Sequence, residues 1–501
     1  MTRSTSIVGN MTGFLDLPSE IISQIIAYLN DNDFRTSRLT SSSVERSTLS
    51  LFSKRFFRKR GFLTTSPSLQ TLQNISQHPT IRKHNHHIWF NPDLYTFVTP
   101  ECAPDPHWPY SVIYGTRSEE DRVKYEIYQD CVHDHQNLLF SSKLEEKLCA
   151  IFAGLPNLGV VGMRRSEDHS PWGWRRLKDA VGEDPRVLGQ IPSGPMSSLS
   201  GATFLFVALV RALASTGAKV RRLYTDAIEI DNLRLETLPQ ERLQAAFASL
   251  WYLEINASKA WVTQKARNAF MPTEDEYGDG LLRVLQATPQ LRELGLQIFR
   301  DLKQSYLVPP ASRNRESWPE SYPYLAFRKV ATNAQLPFLR RVKLEKLITD
   351  PSTLIQFLKP SASNLSSLKL RDVRLLSTEE DRKPWRPIFT FLLERCANLS
   401  YLLLYHLMYE HGGISFVENP SVPVAYASPE DLYDAPDPTP GEPAGDELFA
   451  KYEHLAVEAK GRQAVVQKLR VAVERHWYQR PVFGYAMDEG LWHTDTSDEE
   501  D

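Results

Sequence analysis

This chain of 501 residues lacks the signals that would make it a membrane protein, a secreted protein or a recognisable nucleotide enzyme. No run of about 18 apolar residues occurs, so no membrane span is expected. The first residues, MTRSTSIVGNMTG, hold no apolar core of a secretory signal. Cysteine is scarce: Cys102, Cys131, Cys149 and Cys396 form no C-x-x-C pair. In a chain this long they suggest reduced thiols of the cytosol or nucleus, not a disulfide framework. The sequence contains neither the phosphate-cradling G-x-x-x-x-G-K-[ST] loop nor the G-x-S-x-G nucleophile turn. Gly194 to Gly201 is a Gly/Ser stretch without the lysine.

Metal-ligand spacing is equally poor. His84, His86 and His87 cluster, as do Cys131, His133 and His135, but no H-x-x-x-H or C-x-x-C pair complements them. Offsets of two diverge on a helix, so the second group reads as surface side chains. No metal, cofactor or catalytic residue is assigned. A metal-dependent enzyme resting on the His84 cluster is the alternative, and stoichiometric metal would favour it.

What the chain does have is an ordinary globular composition, 42% hydrophobic and 24% charged, with a lopsided charge. Residues 1–90 carry 11 Lys/Arg against 5 Asp/Glu, whereas residues 418–501 carry 7 against 18. Part of the basic excess is Lys54-Arg55-Phe56-Phe57-Arg58-Lys59-Arg60. It reads as the solvated end of a helix with both phenylalanines inward, in preference to a nucleic-acid patch.

Gly13 to Arg60 predicts three short helices. Pro18 suits a first turn, and Glu20 sits near the positive helix end. Ile21, Ile22, Ile25, Ile26 and Leu29 then fall on one expected face. Asn30-Asp31-Asn32-Asp33 breaks the helix, and Leu39, Leu49, Leu51, Phe52, Phe56 and Phe57 follow on two more segments. About 45 residues are too few to bury this stripe unaided. The face therefore needs another surface, from this chain or from a partner.

These residues resemble an F-box. The likeness lies in LPSEIISQIIAYLNDNDF, in Arg38-Leu39-Thr40-Ser41 and in Leu51-Phe52-Ser53-Lys54-Arg55-Phe56, with a Ser-rich insert from Ser41 to Ser50 as the departure. The tract that follows is similar to the continuation in large F-box families of filamentous fungi. The resemblance implies docking on a Skp-type adaptor and a cullin scaffold. Leu17, Pro18, Ile21, Ile22, Ile25, Ile26, Leu29, Leu39 and Phe52 would be the adaptor-binding residues.

Downstream, Ser68 to Ser76 predicts a short helix, His87 to Phe90 a strand, and Asp121 to Ala153 a long helical region. A triplet L-x-x-L-x-L then recurs: Leu155/Leu158/Val160, Leu250/Leu253/Ile255, Leu291/Leu294/Leu296, Leu339/Val342/Leu344, Leu365/Leu368/Leu370 and Leu399/Leu402/Leu404. A weaker copy begins at Val220 and Leu223. Positions two apart share a face only on a strand, so each triplet predicts a strand with inward leucines. Helical runs precede most of them, and Pro or Asn often marks the break, as at Asn157 and Asn398. A repeated helix–strand unit stacks into a solenoid with a parallel sheet. It resembles a degenerate leucine-rich repeat.

The expected fold is thus α/β: a three-helix F-box at 13–60, a helical connector with a first strand at 61–154, and an irregular leucine-rich-repeat-like solenoid at 155–415. An acidic Pro-rich linker (416–445), a C-terminal helix (446–480) and an acidic disordered tail (481–501) complete it. Long inserts between repeats carry Trp172, Trp174, Trp261 and Trp318. These either bind a target protein or cap the solenoid core. The expected role is substrate-recognition adaptor of a cullin-RING ubiquitin ligase, not itself an enzyme, located in cytoplasm or nucleus. Its target is unknown, and neither nucleic acid nor membrane is an expected partner. A scaffold that binds the adaptor without directing degradation carries the same features.

Overall fold

The computed structural model describes residues 17–92, 119–164, 171–181, 198–225, 228–229, 233, 235–258, 278–298, 321–376, 383–409, 412–416, 456–474 and 477–479. The expected linker at 416–445, apart from its first residue, and the expected tail at 481–501 lie outside them. The chain divides into two compact units, Met1–Ser193 with Ala208–Val220, and Gly194–Val207 with Arg221–Asp501. It is mixed α/β, with 14 helices among the described residues and mostly parallel strands. None of these helices is long and apolar enough to cross a membrane.

The first unit opens with three helices, α1 (Ser19–Tyr28), α2 (Asp31–Leu39) and α3 (Ser42–Phe56). Then come β1 (Lys59–Leu63), α4 (Ser66–Gln77), β2 (His87–Asn91), α5 (Glu119–Leu139), α6 (Ser142–Ala153), β3 (Val160–Met163) and α7 (Trp174–Val181). Strands β1, β2 and β3 pair in parallel, with Gly61, Trp89 and Gly162 in line across them. The Trp89 indole occupies the space where Gly61 would carry a side chain: a Cβ there would lie 2.2 Å from the ring. Glycine at 61 is therefore a requirement of the fully buried Trp89.

Helix α8 (Ser198–Thr216) leads to β4 (Arg222–Tyr224), β5 (Ile228–Glu229), α9 (Gln240–Phe247), β6 (Tyr252–Ser258), α10 (Asp279–Gln286), β7 (Glu293–Gln297) and α11 (Ser321–Asn333). Next are β8 (Arg341–Glu345), β9 (Ile348–Thr349), α12 (Pro351–Leu358), β10 (Ser367–Arg371), β11 (Arg374–Leu375), α13 (Arg386–Arg395) and β12 (Tyr401–Tyr405). The chain closes with β13 (Met408–Tyr409), β14 (Gly412–Ser415), β15 (Ala456–Lys460), α14 (Arg462–Glu474) and β16 (Trp477–Gln479). In the second unit the main sheet runs β4-β6-β7-β8-β10-β12-β15, parallel except for β15, with β5 added beside β6. Helices α9 to α14 pack side by side in the order of the strands.

The leucine triplets form the ladders that their period implies. Leu253, Leu294, Val342, Leu368 and Leu402 stand in register on successive strands, and Ile255, Leu296, Leu344, Leu370 and Leu404 form the next row. All ten are buried. Intervening residues such as Lys343, Lys369 and Leu403 are half-buried on the other face. The triplet at 155 differs: Leu155 and Leu158 are buried before β3, which begins only at Val160.

Strands β2, β3, β6, β7, β8, β10 and β12 are entered through the same turn, in which one carbonyl accepts from two successive N–H groups of the next repeat. In the first unit Arg58 accepts from His86 and His87, and His86 from Gly159 and Val160. In the second, Arg221, Trp251, Arg292, Arg340 and Ser366 do the same for the pairs beginning at Trp251, Arg292, Arg340, Ser366 and Ser400. Asparagine side chains stitch some turns again. Nδ2 of Asn157 donates to the Lys83 carbonyl at 2.7 Å, Asn364 to Pro337 at 2.8 Å and Asn398 to Ser363 at 2.5 Å. These bonds satisfy polar groups at a position that leucine periodicity leaves open.

Three expectations are corrected. The basic run is not wholly the end of α3: the helix stops at Phe56, and Lys59 and Arg60 already lie in β1. The repeat therefore starts two strands before residue 155. The expected helix over 446–480 is, where described, a strand, a turn, a helix and a second short strand. Val457 and Ala459 alternate with exposed Glu458 and Lys460 in β15, and Gly461 at φ +90° begins a new element. Finally, residues 171–181, expected within an insert, end in helix α7.

Candidate functional site

Among the described residues, four of the eleven large apolar side chains left exposed, Ile21, Ile25, Tyr28 and Leu39, lie on helices α1 and α2. The boundaries of α1 to α3 follow from local chemistry. Carbonyl oxygen of Pro18 accepts from the N–H groups of Ile21 and Ile22 to start α1. The Asn30 side chain caps α2 by accepting from Asp33 N–H at 2.9 Å, and Ser41 caps α3 by accepting from Val44 N–H at 3.2 Å. Arg55 of α3 then ties the first turn down. It donates to the Leu29 carbonyl at 2.9 Å and pairs with Asp31 at 2.6 Å.

The three helices make a small core of their own. Ile22, Ile26, Phe34 and Phe56 are buried together, with Leu17, Leu29, Leu51, Phe52 and Phe57 packed around them. Phe34, Phe52 and Phe56 meet with ring centroids 4.7–5.9 Å apart. Arg38 lies 3.7 Å over the Phe52 ring, where burial pulls its pKa down against the raising effect of Glu45. Arginine stems and rings thus seal a core too small to be closed by aliphatic side chains alone.

The apolar face of α1 proves to be two stripes. Ile22, Ile26 and Leu29 turn inward, while Ile21 and Ile25 are 40% and 37% exposed. Tyr28 continues the outer stripe and is 91% exposed. Spacing of 21, 25 and 28 is itself a helical face, and this signal identifies Tyr28, which reading all the isoleucines as one stripe passed over. Pro18 is exposed at the start of the same helix, and Leu39 on α2 is 86% exposed.

The four tryptophans part company. Trp174 is buried with Leu63, Val132 and Leu177, as a core residue of the first unit. Trp172 is 45% exposed and pairs through its main chain with β1: its N–H donates to Gly61 at 2.7 Å, and its carbonyl accepts from Leu63 at 3.3 Å. Gly173, at φ +95°, makes the bend between them. Trp261 and Trp318 lie outside the described residues.

The histidines and thiols separate in the same way. His86 is exposed, whereas His84 and His87 are half-buried, and no group of three or more metal-ligand side chains occurs among the described residues. His135 corrects the reading of a surface side chain: it is buried in α5, and its Nδ1 lies 2.9 Å from the Thr64 carbonyl and 2.6 Å from Thr64 Oγ1. A carbonyl only accepts, so Nδ1 carries the proton. Burial brings the His135 pKa down to about 4, against the opposing pull of that hydrogen bond and of Asp134. Beside it, Asp134 accepts from both the N–H and the hydroxyl of Ser66 at 2.6 Å. Cys131 and Cys149 are half-buried and in no disulfide, and burial raises the pKa of Cys396 to about 11.

No protein-family model matches this chain, and no curated protein sequence matches it.

Proposed function

We propose that the chain is a substrate-recognition adaptor of a cullin-RING ubiquitin ligase, docking on a Skp-type adaptor through α1 to α3. One observation carries the reading. The three helices fill their own core with Ile22, Ile26, Phe34 and Phe56, yet leave Pro18, Ile21, Ile25, Tyr28 and Leu39 outward. Exposed isoleucine on a helix that already has a core is hard to account for as packing within the chain. It is what a docking face requires.

In this reading the strand–turn–helix units are degenerate leucine-rich repeats that hold a target protein. Function is then a matter of proximity: the target is held at high effective concentration near the charged carrier enzyme, and no residue of this chain performs the chemistry. Among the sequence candidates for target contact, exposed Trp172 stays available, whereas Trp174 belongs to the interior.

The test is co-expression with a Skp-type adaptor and affinity capture. Wild type should retain the adaptor, and Ile21→Asp combined with Ile25→Asp should lose it while melting at the same temperature. Capture of equal adaptor by both proteins would refute the docking face.

A further inference from the structure

Cations collect along one edge of the main sheet of the second unit. The shared-carbonyl turns place a residue pair at the same height on four neighbouring strands: Arg221-Arg222, Trp251-Tyr252, Arg292-Glu293 and Arg340-Arg341. All five arginines are exposed. Arg341 is answered by Glu293 at 3.0 Å, and Arg222 stacks 4.2 Å over Tyr252 and 5.6 Å over Trp251. Arg221, Arg292 and Arg340 have no ion pair among the described residues. Trp251, Arg292, Glu293, Arg340, Arg341 and Ser366 line an open cleft of about 340 Å³ at this edge.

The chemistry on offer is that of guanidinium forks. Main-chain donors are spent, because the N–H groups of Arg292, Glu293, Arg340, Arg341, Ser366 and Ser367 all point into the turns. A guanidinium matches carboxylate or phosphate in bidentate geometry. Spacing separates the two. Neighbouring strands lie about 4.8 Å apart, so the three steps from β4 to β8 set Arg221 and Arg340 roughly 14 Å apart. An extended peptide rises about 3.4 Å per residue, so side chains four residues apart on one face span the same distance. A single phosphate group would use only one end of that span. A polynucleotide carries charge at every step and would compete with Glu293 for Arg341 inside the cleft, and with Glu254 and Glu345 for Lys343 on the adjoining face. A peptide can set neutral residues against those glutamates.

We propose that this edge binds an extended acidic peptide segment of a partner protein, with carboxylates four residues apart and an aromatic residue between them that lies over Trp251. This goes beyond the adaptor reading and does not depend on it, since the cleft lies in the second unit and binding is measured with the chain alone.

The probe is a short fluorescein-labelled peptide carrying Glu-Ser-Phe-Ser-Glu, titrated with the full-length chain by fluorescence anisotropy. Saturable binding that weakens with added salt is expected. Arg221→Glu with Arg340→Glu should weaken it about tenfold or more, the loss of a charge-assisted pair. The milder Arg221→Gln with Arg340→Gln should weaken it too, with melting unchanged in both because the side chains are exposed. Absence of saturable binding overturns the proposal. So does undiminished binding by the Gln pair, equal binding of a peptide with Gln in place of Glu, or displacement by a short oligouridylate at lower concentration than by unlabelled peptide.

Discussion

Asp372 and His406 stand on neighbouring strand-end turns with their side chains 2.7 Å apart, and both hold left-handed backbones, at φ 52° and 49°. Lys346 occupies the same place one repeat earlier, also at φ 52°. After each of these residues a buried side chain follows (Leu347, Val373, Leu407) and then a two-residue strand, β9, β11 or β13. The left-handed residue is what turns the chain from the main sheet into the second one. Asp and His are tolerated there because a short polar side chain can bond locally, whereas Lys has no such compensation. Lys346→Gly should therefore raise stability by about 1 kcal/mol. Asp372→Ala should lower it by about 1 kcal/mol or more, since the strain remains and the bond to His406 is lost. Urea unfolding of the two variants reads both signs.

The Gly61–Trp89 contact gives a sharper test of the first unit. Gly61→Ala puts a methyl group against a fully buried ring, which has no free volume into which to move. A loss of about 2 kcal/mol is expected in chemical denaturation. Gly61→Ala with Trp89→Leu should recover part of it, and a fully additive pair of losses would contradict the contact.

His135 predicts an acid-sensitive first unit. Its folded pKa, about 4, lies below the ordinary value of 6.5. The unfolded chain thus binds a proton that the folded chain refuses between those values, and stability falls as pH drops from about 6.5 toward 4. Between pH 7 and pH 5 the loss from this group should be about 2 kcal/mol. His135→Gln, whose amide can still donate to the Thr64 carbonyl, should flatten that slope. An unchanged slope would mean that His135 titrates normally.

The main sheet of the second unit was legible in the sequence because one strong signal, the last two positions of each leucine triplet, has a period that only a strand satisfies. The rows from Leu253 to Leu402 and from Ile255 to Leu404 follow from it directly. Strands β1 and β15 escaped it for physical reasons. In β1 burial does not alternate: Gly61, Phe62 and Leu63 are buried in succession, so no period of two marks the strand. In β15 the marks are Val457 and Ala459, small residues that fit a helix as well as a strand, and only Gly461 separates them from α14. The shared-carbonyl turns are invisible to side-chain patterns because they are made by the main chain. In the candidate site, Ile21 and Ile25 were legible as apolar but not as outward. Which of two adjacent isoleucines faces in depends on where Phe34 and Phe56 arrive from other helices.

Under the proposed function, a second protein covers the outward face of α1 formed by Ile21, Ile25 and Tyr28. Amide hydrogen exchange of the full-length chain, with and without a purified Skp-type adaptor, tests it most directly. The expected result is slowed exchange over residues 18–39, lost when Ile21 and Ile25 are both aspartate. Unchanged exchange across α1 and α2 at saturating adaptor, or slowing confined to other segments, would contradict it.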